Sequence, residues 1–206
     1  MAGHGLNPVA RLRGLAAVVA LACFTAQGAA EDAGLAARVA RIAVPLEAAA
    51  ARERPETSTW NWEVSVTSDP AIAAYCLAGG KVVVGSAFVA RLGLDDAELA
   101  MLLAHEMAHA VAGHRRPRPA ADAMEADPAA ALGEQRRAMA QEEEADRLGM
   151  VLAARAGWAP AKLLGFFDKL AASEPAGSFS ATHARAADRI VQAREVARQL
   201  GAGARP

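Results

Sequence analysis

The stretch that decides the fold lies at residues 105–114 and reads HEMAHAVAGH. Histidines four positions apart on a helix share a face, so the imidazoles of His105 and His109 can bind one zinc ion together. Glu106 lies between them, where its carboxylate can take a proton from a water molecule activated by the zinc. Beyond residue 30 the chain has four histidines, and three of them fall in this stretch. The pattern therefore predicts a hydrolytic metal site on a helix.

A catalytic zinc site has three protein ligands and an open fourth position, so a third ligand is needed. His114 is one candidate, but the metzincin pattern HExxHxxGxxH needs glycine and histidine where this chain has Ala112 and Arg115. A histidine at a helix end is the simpler interpretation of His114. The other candidate is a later glutamate, as in the gluzincin pattern E-x-x-x-D, and Glu142 and Asp146 have that spacing. Asp146 could then accept a hydrogen bond from the free N–H of a ligand histidine.

Residues 142–144 are three consecutive glutamates, and they cannot share one partner because successive helical side chains point about 100° apart. Glu142 lies on the same helix face as Asp146, one turn away. Glu143 and Glu144 are rotated from Glu142 by about 100° and 200°. We therefore expect Glu142 to face the metal, and at least one of the other two glutamates to be solvated.

Periodicity predicts one helix and two strands before the zinc helix. Apolar residues at helical spacing between Leu35 and Leu46 predict a first helix, which Pro45 should kink or end. The segment WNWEVSV at 60–66 alternates in the manner of a half-buried strand. A second strand is predicted from Lys81 to Val84, after a turn at two glycines.

Every segment after Ser86 is predicted to be helical, apart from the connecting loops. Asp95 opens the zinc helix, and Glu98 three residues later completes a capping box. A break follows at RRPRP, residues 115–119, then a helix containing EEEAD, and a last helix covers roughly 183–200. Strands followed by a run of helices predict the α+β class, a mostly helical domain with a small β-sheet before the HExxH helix.

The first 30 residues have the layout of a secretory signal. Arg11 and Arg13 precede the apolar run GLAAVVALACFTA, which is too short to remain as a membrane-spanning helix. We expect residues 1–30 to be a signal peptide cleaved after Ala30, which makes the protein exported and most simply periplasmic. The alternative is a lipid anchor at Cys23 in the envelope, the only membrane association that the sequence predicts.

The remaining residues, 31–206, have the length of a single domain. Their function is not nucleic-acid binding, because the chain has 22 Lys and Arg against 23 Asp and Glu and no clustered basic excess. After cleavage Cys76 is the remaining cysteine, so no intramolecular disulfide can form.

The chain resembles the HtpX- and BepA-like zinc endopeptidases of peptidase family M48, which are related to the CAAX prenyl protease and to Oma1. The resemblance covers roughly residues 60–195 and rests on HEMAH with the later histidine, EEEAD with its following glycine, IAAYCLAGGKVVV and THARAADRI. It implies a zincin-like gluzincin domain that binds one Zn²⁺ per chain. The metal ligands that it implies are His105, His109 and Glu142. It implies Glu106 as the general base and Asp146 as the residue that orients a ligand.

The segment THARAADRI is similar to the family's late THPxxxxRI segment. The similarity implies that His183 donates a hydrogen bond to the oxyanion of the tetrahedral intermediate and that Arg189 organises the nearby carboxylates. This chain departs from the family at three positions. Ala73 and Ala78 replace the asparagine and proline of N-A-F-x-x-P-G-G, and Ala184 replaces the proline after the late histidine. The substrate contact of that asparagine therefore does not carry over.

The resemblance also implies a protein or peptide substrate that pairs in an extended form with an edge strand at Lys81 to Val84. The function it predicts is zinc-dependent hydrolysis of peptide bonds in exported or envelope proteins, in protein quality control. The alternative is a latent module of the same fold that binds unfolded or membrane-associated proteins without cleaving them. The alanines at positions 73 and 78 keep this alternative open.

Overall fold

A computed structural model describes residues 32–77, 79–114, 128–173 and 186–203. The predicted signal peptide with Cys23 lies outside the described residues, as do Ala78, His183 and Ala184. Within the described ranges, no helix combines the length and the apolar character that a bilayer crossing requires.

The described residues form six α-helices and three β-strands, so the prediction of a mostly helical domain with a small sheet is confirmed. Helix α1 covers residues 32–53, and a short 3-10 helix follows at Pro55–Thr59. The strands are β1 (Glu63–Thr67), β2 (Ala74–Leu77) and β3 (Lys81–Gly85). The later helices are α2 (Ser86–Leu92), α3 (Asp96–Ala112), α4 (Pro128–Arg155), α5 (Pro160–Ser173) and α6 (Ala186–Gly203).

Helix α1 continues past Pro45, so the predicted alternative that this proline ends the helix is wrong. A proline inside a helix removes one backbone hydrogen bond. Burial of the same apolar face on both sides of Pro45 compensates for this loss, since Ile42 and Leu46 are 1% and 0% exposed.

The sheet has the strand order β1–β3–β2, which makes β3 the central strand. The prediction that Lys81 to Val84 forms an edge strand is therefore wrong. β3 pairs in parallel with β1 on one side, where Val82 lies opposite Val64, and antiparallel with β2 on the other, where Val82 lies opposite Cys76. An uninterrupted apolar run is typical of a strand buried between neighbours. The edges are β1 and β2, and β2 packs against α3.

Helix α3 runs through the core and begins at the predicted capping box. The backbone N–H of Glu98 donates to the Asp95 carboxylate at 2.9 Å, and the backbone N–H of Asp95 donates to the Glu98 carboxylate at 2.7 Å. Two backbone donors at the helix start are thereby satisfied. The Glu98 carboxylate also accepts from Lys169 of α5 at 2.5 Å, which joins α5 to the start of α3.

A glycine on α4 allows this helix to approach α3 closely beside His105. A Cβ atom at Gly149 would lie 3.0 Å from the backbone nitrogen of His105 and 3.1 Å from its Cα. Residues three and seven positions earlier on a helix share the face of Gly149. Asp146 and Glu142 therefore face α3 near this close approach.

Candidate metal centre

Three side chains with metal-binding atoms converge between α3 and α4. His105 and His109 from α3 and Glu142 from α4 each offer an atom within 4.8 Å of the other two. The Nε2 atoms of the two histidines are 3.1 Å apart. The Glu142 carboxylate lies 3.3 Å from Nε2 of His109 and 3.5 Å from Nε2 of His105.

This donor set fits a zinc ion. Zinc bonds to nitrogen and oxygen are about 2.0–2.2 Å long, so tetrahedral geometry separates neighbouring ligand atoms by about 3.3–3.6 Å. The three measured separations, 3.1, 3.3 and 3.5 Å, lie at or close to that range. Two imidazoles and one carboxylate are also a known ligand set of catalytic zinc, which keeps its fourth position open.

The orientation of His105 is set by Asp146 on α4. Nδ1 of His105 lies 2.9 Å from Oδ1 of Asp146, so Nδ1–H donates to the carboxylate and Nε2 remains for the metal. Arg189 of α6 holds Asp146 in turn, because its Nε and one terminal nitrogen each donate to a different Asp146 oxygen at 2.7 Å. Its other terminal nitrogen is 3.7 Å from Glu142. Arg189 thus bridges the two buried carboxylates.

Charge balance makes this buried arrangement possible. His105, Glu142, Asp146 and Arg189 are each at most 5% exposed. Burial lowers the pKa of His105, but hydrogen bonds to Asp146 and Glu142 outweigh it and raise the pKa to about 9. Burial raises the pKa of Asp146, but hydrogen bonds from His105 and Arg189 hold that pKa below its usual range. In the metal-free protein, His105 and Arg189 therefore supply two positive charges beside the two carboxylates.

Comparison with known proteins finds similarity to peptidases. The sequence profile described as Peptidase family M48 matches residues 29–126, just under half of the chain, including HEMAH. The mitochondrial metalloendopeptidase OMA1 of Arabidopsis thaliana is 43% identical over 54 residues, which cover 26% of this chain and 11% of OMA1. These two matches support an assignment of the chain to peptidase family M48.

The matched family is described as a peptidase family, and the matched relative is a metalloendopeptidase. The family match ends before α4 and α6, so Glu142, Asp146 and Arg189 lie beyond it. The structure nevertheless brings all three to the HEMAH histidines. The matched segment spans about a tenth of the length of OMA1.

The other predicted site residues differ in what the structure shows. Glu106 is half-buried on α3, next to His105. Burial alone would lower the pKa of Arg189. The hydrogen bonds and charge of Asp146, together with the negative charges of Glu142 and Glu106, outweigh burial and raise the pKa above its usual value. The Glu106 carboxylate is thus within electrostatic reach of the metal centre. His183 lies outside the described residues.

One contact at this candidate site was not predicted from the sequence. Nδ1 of His114 is 3.0 Å from Nδ1 of His109, and Nε2 of His114 is 3.2 Å from the carboxylate of Glu144. His114 therefore touches His109, one of the candidate metal ligands, on the side away from Glu142. Glu143 is exposed, as expected for one of the glutamates. The glycine before His114 was the available signal, because it can end a helix and turn the chain back.

Proposed function

We propose that the protein is a zinc-dependent endopeptidase of the gluzincin type, with one zinc per chain, that hydrolyses peptide bonds of exported or envelope proteins in quality control. The observation that carries the proposal is the convergence of His105, His109 and Glu142 at separations suited to tetrahedral zinc. The match to peptidase family M48 supports peptide-bond hydrolysis as the reaction.

In the proposed mechanism each protein group has a defined task. Zinc, when bound by His105, His109 and Glu142, lowers the pKa of a water molecule to about 7 and polarises the carbonyl of the scissile bond. Glu106 accepts the proton of the attacking water and passes it to the leaving amine. Asp146 keeps the proton of His105 on Nδ1, so that Nε2 stays available to the metal.

We place the extended substrate on β2, Ala74–Leu77, in place of the predicted Lys81 to Val84. β2 is an edge strand and packs against the zinc helix α3, whereas β3 has strands on both sides. An edge strand offers backbone donors and acceptors to an added strand. Such pairing binds the substrate backbone with little selectivity for its side chains. Ala73, where the family pattern has asparagine, is exposed just before this strand and offers no side-chain amide to the substrate.

We further propose an additional contact and a location from the sequence. His183 would donate to the oxyanion that forms on the substrate carbonyl. Residues 1–30 would direct the protein to a bacterial-type periplasm, or would anchor it in the envelope through Cys23.

The replacement of Glu106 by glutamine tests the proposed reaction. The zinc-loaded wild type should cleave an unfolded protein such as reduced casein, and a chelator should stop the cleavage. Glu106→Gln should retain zinc and fold but cleave at least about 10²-fold more slowly, because the amide cannot accept the proton. Glu143→Gln is the matched control, since it removes an exposed carboxylate beside the site, and it should cleave at the wild-type rate.

Two results would contradict the proposal in different ways. Wild-type turnover by zinc-loaded Glu106→Gln would refute the role of Glu106. A zinc-loaded wild type that binds unfolded proteins and cleaves none of them would instead support the latent binding module.

A further inference from the structure

We propose that His114 and Glu144 form a positioning pair for His109, the counterpart of the pair Asp146 and Arg189 that positions His105. The pair fixes which nitrogen of His109 carries the proton and in which direction its ring points. This inference rests on the proposed function, because it concerns the same metal centre, but it makes its own prediction about metal affinity.

The contacts of His109 define the direction of each hydrogen bond. Nε2 of His109 faces the other metal-binding atoms, at 3.1 Å from Nε2 of His105 and 3.3 Å from Glu142. A neutral imidazole whose Nε2 binds a metal carries its proton on Nδ1. Nδ1–H of His109 therefore donates to Nδ1 of His114 at 3.0 Å.

Glu144 completes this chain of hydrogen bonds. If Nδ1 of His114 accepts, the proton of a neutral His114 must lie on Nε2. Nε2–H of His114 then donates to the Glu144 carboxylate at 3.2 Å, and an ionised carboxylate can only accept. The metal at one end and Glu144 at the other thus select a single arrangement of protons along the two rings.

The backbone at the end of α3 is shaped to bring His114 to His109. Gly113 has φ 71° and ψ 29°, in the left-handed region that favours glycine. Its N–H donates to the carbonyl of Ala110 at 3.1 Å, and the N–H of His114 donates to the carbonyl of His109 at 2.9 Å. These two bonds form a Schellman motif. The main chain of His114 is therefore tied to the same residue that its side chain contacts.

Burial distinguishes the inner and outer members of the pair. The side chain of His114 is 6% exposed, and its ring meets that of His109 edge to face, with centroids 5.0 Å apart. The Glu144 side chain is 50% exposed, so water screens its charge. We therefore expect His114 to contribute more to metal binding than Glu144, and both to contribute less than the fully buried Asp146.

The proposed pair also assigns a different role to each of the three consecutive glutamates. Glu142 is a metal-binding residue and Glu144 supports the second histidine through His114, whereas Glu143 points to solvent. Glu143 and Glu144 are neighbours with the same charge on the same helix. A comparison of the two therefore separates a specific contact from a general effect of negative charge near the metal.

The test is the zinc dissociation constant of the full chain, measured at pH 7.5 by competition with a fluorescent chelator. His114→Ala should weaken zinc binding about 10-fold, the low end for loss of a group that orients a ligand. His114→Phe should weaken it similarly, because phenylalanine preserves the ring but cannot accept a hydrogen bond. His114→Asn should remain within about 3-fold of wild type, because its amide oxygen can accept from His109.

The glutamate variants test the outer contact. Glu144→Gln should weaken zinc binding about 2- to 3-fold, whereas Glu143→Gln should bind zinc as the wild type does. Thermal unfolding of each metal-free variant shows whether its fold is retained. A wild-type affinity in His114→Phe would overturn the proposal, and so would equal effects of the two glutamate variants.

The same measurement separates this inference from the proposed function. If the wild type binds zinc and the His114 variants bind it equally well, the positioning pair fails and the peptidase proposal stands. If the His114 variants lose affinity as expected but zinc-loaded wild type cleaves no unfolded protein, the peptidase proposal fails and the pair stands. A wild type that binds no zinc overturns both.

Discussion

Replacement of Arg189 by methionine should destabilise the metal-free protein by about 3–5 kcal/mol, because it leaves a buried carboxylate without its main partner. Arg189 is 5% exposed and donates to both oxygens of Asp146 at 2.7 Å. Methionine is unbranched and apolar and fills much of the same space. The expected loss therefore reports on the charge and the hydrogen bonds of Arg189 more than on a cavity.

The remaining contacts place the expected loss near the lower end of this range. Asp146 keeps His105, protonated in the metal-free protein, at 2.9 Å. Glu142, 3.7 Å from the guanidinium, also loses a positive charge nearby. We therefore expect a loss of about 3 kcal/mol in the free energy of unfolding.

Urea denaturation at pH 7 in the presence of a chelator measures this loss. Arg194→Met is the matched control on the same helix, because Arg194 is 61% exposed and its ion pair with Asp168 is 3.4 Å long. The control should change the free energy of unfolding by no more than about 0.5 kcal/mol. The double variant Asp146→Asn with Arg189→Met should be more stable than the sum of the two single losses predicts. A loss below about 1 kcal/mol in Arg189→Met would refute the view that Arg189 neutralises the buried carboxylates.

Two further predictions concern the helices and protons around the metal. Gly149→Val should destabilise the protein and weaken zinc binding, because its Cβ would lie 3.0 Å from the backbone of His105. Gly133→Ala on the same helix has open space and should stabilise the protein by about 0.5–1 kcal/mol. Urea denaturation measures both changes in stability and chelator competition measures zinc affinity; an unaffected Gly149→Val would contradict the close approach. The pKa of His105 in the metal-free protein, about 9, lies above its ordinary 6.5, so its stabilising effect should be complete below pH 6.5 and be lost as the pH rises through 9. Zinc binding at pH 7.5 should then release about one proton from His105. Calorimetry in buffers of different ionisation enthalpy measures this proton release. No release would contradict this pKa.

Local chemistry explains which parts of the fold and site were predictable. The capping box at Asp95 and Glu98 and the pair of histidines in HEMAH depend on residues three or four positions apart on one helix. Helical geometry alone fixes such relations. The spacing of Glu142 and Asp146 likewise placed both on one face, but their meeting with α3 depends on the packing of two helices.

The failures concern relations between distant segments. The uninterrupted valines of Lys81–Gly85 were a signal for a central strand, but strand order depends on which segments pair, and periodicity does not report that. The contact between His114 and His109 required the left-handed turn at Gly113, which redirects a residue just beyond the helix. The position of Glu144 on α4, opposite His114, arises from tertiary packing and has no local sequence signal.

The most direct test of the metal centre is the number of zinc ions bound per purified chain in Glu142→Ala and in its neighbour Glu143→Ala. We expect Glu143→Ala to bind one zinc ion per chain as the wild type should, because Glu143 is exposed. We expect Glu142→Ala to lose most of its zinc, because it removes one of three converging ligands. Full zinc content in Glu142→Ala, or a loss confined to Glu143→Ala, would contradict the assignment of Glu142 as the third ligand.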